Sequence, residues 1–175
     1  MEIVVGGAGR FRAALSTADG TITQGLDGEN GWIMAKDGVQ QLSGPDVARL
    51  RRVAARYRPV KDRPANLQVV GVERFADRDV YVAAARINPI TSVTLYFDVV
   101  TGLLRREMTA TETMLVPLQE QVDYEDYRDV SGVRLPFRMR TSDGAPYGTV
   151  TRMFLQIRRN VAVEDALFRP PSAPR

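Results

Sequence analysis

From Val133 to Arg140 the chain alternates without a break: Val133, Leu135, Phe137 and Met139 fall to one side, Arg134, Arg138 and Arg140 to the other. A period of two means a strand with one buried and one wet face, because successive side chains leave a strand on opposite sides. Just before it lies VDYEDYRDV, a second strand-like run, and between the two sits Asp129-Val130-Ser131-Gly132. Aspartate opening and glycine closing such a stretch predict a type I turn. Half-wet strands joined by tight turns belong to antiparallel sheets.

The rest of the chain repeats the theme. Asp19-Gly20, Asp27-Gly28 and Asp37-Gly38 punctuate the first forty residues as hairpin turns. Between them, Ile3–Val5, Arg10–Ser16, Thr21–Leu26 and Trp32–Ala35 read as strands. Beyond residue 66 the strands expected are Leu67–Phe75, Val80–Ile87, Thr91–Asp98, Leu103–Thr109, Thr113–Tyr127 (bent near Pro117), Val133–Thr141 and Gly148–Arg158. One helix interrupts them. Ser43-Gly44-Pro45-Asp46 supplies a capping residue, a first-turn proline and an acid at the positive end of the dipole. Val47, Leu50, Val53, Ala54 and Tyr57 then share one face, Arg49, Arg52 and Arg56 lie opposite, and Pro59 stops the helix. The segment 60–66 reads as a loop.

With 175 residues, 44% hydrophobic and 26% charged, the chain suits one soluble domain over 1–168, followed by a proline-rich tail over 169–175. The net charge of +3 is spread along the sequence, which argues against nucleic acid. No apolar run reaches the ~20 residues of a membrane helix. There is no cysteine and no histidine, so disulfides, thiolate metal sites, cysteine nucleophiles and imidazole bases are excluded. The serines at 16, 43, 92, 131, 142 and 172 therefore have no histidine to activate them. Gly6-Gly7-Ala8-Gly9 lacks the context of a phosphate loop. The expectation is of no enzyme, no metal and no cofactor.

About ten sequential antiparallel strands are too many for a flat sheet. The fold class expected is mainly β: a strongly curved antiparallel meander or half-open barrel with one main helix against the concave side. Such a sheet leaves a hollow suited to an apolar ligand, although a packed core shows the same alternation.

The runs LYFDVVTGLLRRE (Leu95 to Glu107), VDYEDYRDVSGVRLPFRMR (Val122 to Arg140), VAVEDALFRPP (Val161 to Pro171) and GENGWIMAKDGVQQLSGPDVARLRR (Gly28 to Arg52) together resemble the bacterial outer-membrane lipoprotein-sorting proteins, of the periplasmic lipoprotein-carrier superfamily. The variant resembled is associated with c-type cytochrome or peptidase modules. The resemblance implies a half-open curved sheet plugged by helices, a cavity for acyl chains, and neither enzymatic activity nor cofactor. Members start with an export signal, a helix and further strands that are missing here, which implies a chain truncated at its N-terminus. The compartment implied is the periplasm or cell envelope, with an export signal removed; the start MEIVVGGAGR, read alone, leaves the cytoplasm as the alternative.

The candidate cavity residues are Trp32, Met34, Val93, Leu95, Phe97, Leu135, Phe137 and Met139. Core packing is the competing reading for each. The acids Asp123, Glu125, Asp126 and Asp129 read as a solvated strand face paired across strands to arginines, since they lack the loop glycine and bidentate glutamate of a calcium hand. Arginines 134, 138, 140, 152 and 158 read as a stripe on the outer sheet face. The function expected is a non-enzymatic carrier or binding domain for a lipoprotein acyl chain or other hydrophobic ligand; the alternative is an interaction or envelope-sensing domain with a filled core. Its partners would be that ligand or lipoprotein, and envelope proteins, without nucleic acid.

Overall fold

The computed structural model describes residues 1–57, 66–142 and 148–171. Most of the expected loop over 60–66, the proline at 59, the turn residues 143 and 144 and the end of the tail lie outside them. The described residues form two compact units: 1–57 with 161–171, and 66–142 with 148–160.

The first unit holds sheet I, an antiparallel meander of β1 (Glu2–Val5), β2 (Phe11–Thr17), β3 (Gly20–Asp27), β4 (Asn30–Ala35) and β5 (Gly38–Leu42). Each of the three Asp-Gly steps turns one of its hairpins. The Gly6–Gly9 segment is likewise a turn, with the amide of Gly6 donating to the carbonyl of Arg10 at 3.0 Å. Helix α1 (Gly44–Ala55) follows β5. Its N-cap, Ser43, makes no side-chain cap; the amide of Asp46 donates to the Ser43 carbonyl instead. Val47, Leu50 and Ala54 pack with Phe11, Ala13 and Leu26 into one core, and Tyr57 stacks on Phe11 at 5.9 Å. Gly31 admits the helix, since a Cβ there would lie 3.1 Å from Val47.

The second unit holds sheet II. Its strands are β6 (Gln68–Phe75), β7 (Arg78–Asn88), β8 (Thr91–Asp98), β9 (Leu104–Thr111), β10 (Leu118–Val130), β11 (Val133–Ser142) and β12 (Thr149–Met153), again in sequential antiparallel order. Among the described residues the fold is thus mainly β, with one principal helix and no closed barrel. Among the described residues twelve strands replace the ten or so expected, and they divide between two sheets. Strand β12 is shorter than expected and β5 was not foreseen. The β10–β11 loop is Ser131-Gly132 alone, with φ of 53° and 77°. Two positive φ values are those of a type I′ turn rather than the expected type I, because the primed turn matches strand twist. The Asp129 carboxylate accepts from the Gly132 amide at 3.1 Å, so aspartate still fixes the turn.

Candidate functional site

In an antiparallel sheet, residues paired in register share a face. On sheet II, Ala83 pairs with Leu95, Leu95 with Glu107, Glu107 with Val122, and Tyr124 with Met139. With the period of two, this row gathers Val93, Leu95 and Phe97 of β8 and Leu135, Phe137 and Met139 of β11 on one face. Six of the eight expected cavity residues therefore lie on the same side of the same sheet. Val93, Leu95, Phe137 and Met139 are buried, Leu95 completely, while Phe97 and Leu135 are half-buried. Ala83 and Ala85, opposite Leu95 and Val93, keep one border of the row low.

The same face carries polar groups that the sequence reading missed. Glu107 is 6% exposed, and the Tyr124 hydroxyl donates to its Oε2 at 3.1 Å. Thr91 and Thr109 are buried alongside. Within LRREMTAT, Glu107 looks like one more charge on a wet strand. Its parity with Thr109 and Thr111, in a strand whose neighbour sets Leu95, Val93 and Thr91 against these three, was the available signal. Arg128 also reaches this face. Arg128 pairs in register with Leu135, and its guanidinium stacks over Phe137 at 4.5 Å.

The opposite face of sheet II is a polar ladder. Asp123 accepts from Arg106 at 2.6 and 3.2 Å, from Arg140 at 2.8 Å and from Gln121 at 3.0 Å. Burial works against the Asp123 carboxylate, but the hydrogen bonds from Arg106 and Arg140 prevail and hold its pKa below the ordinary value. Glu125 pairs with Arg138 at 3.3 Å on this face, whereas Asp126 pairs with Arg128 at 2.6 Å on the Phe137 side. Asp123 and Glu125 are thus paired across strands with arginines as expected, but Asp123 is 4% exposed rather than solvated, Asp126 pairs within its own strand, and Asp129 accepts from the Gly132 amide. Arg106 in turn lies over Phe75 at 4.5 Å, and Phe75 tilts against Tyr96. The arginine stripe needs correction. Arg134, Arg138 and Arg140 do share this face, but Arg152 pairs in register with Met139 and donates to Thr141 on the other, and Arg158 follows the last strand.

Trp32 and Met34 belong to sheet I, on its face opposite α1. Trp32 lies over Gly25, where a Cβ would come within 2.6 Å of the indole, and its Nε1 donates to the Phe168 carbonyl at 2.7 Å. Phe168 ends a short 3-10 turn, Asp165–Phe168, which docks on β2 and β3. Arg10 stacks over the Phe168 ring at 5.3 Å and pairs with Asp165. Trp32 is 1% exposed and anchors the returning C-terminal segment; Met34 is half-buried.

A cleft of about 290 Å³ opens at the β6–β7 and β8–β9 turns, lined by Arg74, Asp77, Arg78, Asp79, Asp98, Val99 and Val100. Asp98 is buried there and already occupied. It accepts from the amides of Val100 and Thr101 and the Thr101 hydroxyl at 3.1, 2.8 and 2.9 Å, and from Arg78 at 3.4 Å. The Thr101 bonds, backbone first, lower its pKa despite burial. Its work is to hold the β8–β9 turn. Among the described residues, no cluster of acids is arranged to hold a metal ion.

No family model matches this sequence, and a comparison with curated proteins gives no match. Among solved structures, the fold is similar to the crystal structure of a LolA superfamily protein from Nitrosomonas europaea. The likeness has a TM-score of 0.58 at 14% identity and covers 95% of this chain and 79% of that one. The chain therefore has a LolA-like fold; at that identity the likeness concerns architecture alone. No helix among the described residues is long and apolar enough to cross a membrane.

Proposed function

We propose that this chain is a non-enzymatic binding or carrier domain for a lipoprotein acyl chain or another hydrophobic ligand in the bacterial envelope. The observation that carries the reading is the single face of sheet II on which Val93, Leu95, Phe97, Leu135, Phe137 and Met139 lie together. An acyl chain needs such an aligned apolar surface and little directional bonding. The absence of histidine and cysteine from the sequence supports a role without catalysis, and the LolA-like fold supports the periplasm as the place. Partnership with c-type cytochrome or peptidase modules belongs to the same proposal. The proposed ligand contacts narrow to the six residues of sheet II, because the Trp32 indole is already engaged with Phe168.

A second reading, an interaction domain with a filled core, is favoured by one observation: Leu95 and Val122 are 0% and 1% exposed. Titration with a fluorescent fatty acid separates the two. The carrier predicts saturable uptake that falls about tenfold, or ~1.4 kcal/mol, in Phe97→Asp and Leu135→Asp. Both positions are half-buried, so folding should persist, as circular dichroism would verify. Uptake unchanged in both variants would remove this face from consideration.

A further inference from the structure

The sheet II meander ends at β6, whose outward backbone groups have no strand partner among the described residues. Edge strands of this kind invite pairing, and proteins blunt them by shortness, lysine or proline. The other outermost strands here are short, with β1 at 4 residues, β5 at 5 and β12 at 5. Strand β6 has 8 residues, QVVGVERF, without lysine or proline. Its Val69, Val70 and Val72 are 67%, 65% and 58% exposed.

We propose that β6 is a self-pairing edge through which two copies of this chain join antiparallel, about a two-fold axis between Val70 and Gly71. The register with β7 carries the argument. Val69 pairs with Ala83 and Val72 with Tyr81, while Gly71 pairs with Val82, so Val70 is an inserted bulge residue. The bulge places Val69 and Val72 on one face, and Gln68, Gly71 and Glu73 on the other. A two-fold axis at that point sets Val69 against Val72 of the second copy, and Val72 against its Val69. Four exposed valines then meet on one face. Gln68 meets Glu73 on the other, an amide against a carboxylate with no like charges opposed. The bulged Val70 faces Gly71, which has no side chain to obstruct it. Moving the axis onto Gly71 would oppose Val69 to Glu73, which lie on different faces, so a one-residue slip breaks the match. The face match singles out the proposed register over its one-residue neighbours, and it does so independently of any ligand on the buried face.

The joint is a small one, and interfaces below ~1,200 Å² are transient, so association should be read up to about 200 μM. Analytical ultracentrifugation should show the mass rising from monomer towards dimer over that range. The double variant Val69→Lys/Val72→Lys, which opposes two lysines across the axis, should weaken association at least tenfold with an unchanged circular dichroism spectrum. Because the chain has no cysteine, the register can be tested separately. An equimolar mixture of Val69→Cys and Val72→Cys proteins should form a disulfide dimer on mild oxidation, and Val69→Cys alone should not. A monomer at every concentration overturns the proposal, as does a dimer that survives the lysines or cross-links equally well in Val69→Cys alone.

Discussion

Sheets I and II are built from the same alternating pattern but resolve it differently. In sheet I both faces are furnished by elements of its own unit. Helix α1 brings Val47, Leu50 and Ala54 to Phe11, Ala13 and Leu26, and the 3-10 turn brings Phe168 to Trp32. In sheet II one face is a ladder of charges around Asp123, and the other is a continuous apolar row crossed by the Glu107–Tyr124 pair. No helix lies among the described residues of that unit. A sheet whose apolar face is closed by its own helix has spent its surface on stability. The apolar row of sheet II is where a ligand could take the part that α1 plays on sheet I.

The sharpest way to break this comparison is to undo the closure of sheet I. Trp32→Ala removes the largest buried side chain under the 3-10 turn and should cost about 3–5 kcal/mol in urea unfolding. Trp32→Phe keeps the ring but leaves the Phe168 carbonyl without its donor, at about 1–3 kcal/mol. Neither should reduce fatty-acid uptake in material that stays folded. If Trp32→Phe abolishes uptake, the division of labour between the sheets is wrong.

On sheet II the expected losses are smaller and depend on pH. Asp98 and Asp123 have pKa values lowered on folding. A depressed carboxyl contributes stability that is complete above its unfolded value of about 3.9 and is lost as pH falls through the lower, folded value. The urea midpoint should therefore drop below about pH 4, and Asp98→Asn and Asp123→Asn should each flatten that drop. At neutral pH, Asp98→Ala should cost about 1–3 kcal/mol, since it strands the Val100 and Thr101 donors. The smallest effect belongs to Glu125→Ala. Its partner Arg138 is exposed and Glu125 itself only half-buried, and less than about 1 kcal/mol should be lost.

Much of this division was hidden in the sequence, for physical reasons. Alternation locates strands well: Thr91–Asp98 is the strand expected to the residue, and α1 begins where Ser43 and Pro45 place it. Alternation does not say where a meander breaks, so one sheet was expected where α1 separates two. Strand β5, GVQQL, is too short and polar to show a period, although a third Asp-Gly turn required a partner for β4. Trp32 acquires its role from Phe168, 136 residues away, which no local pattern reports. Arg152 was placed on the wrong face because the face of a residue depends on the register of its strand, which β12 reveals only once it is paired with β11. That Val93, Leu95 and Phe97 share one face of β8, and Leu135, Phe137 and Met139 one face of β11, was legible because both strands alternate cleanly.

The central claim is that the buried face of sheet II holds an apolar ligand. Native mass spectrometry of the chain purified from an envelope fraction without detergent tests it most directly. The account predicts protein ions carrying an adduct of acyl-chain mass, displaced by added fatty acid and lost in Phe97→Asp. Bare protein ions alone, with no adduct formed when fatty acid is added in excess, would contradict it.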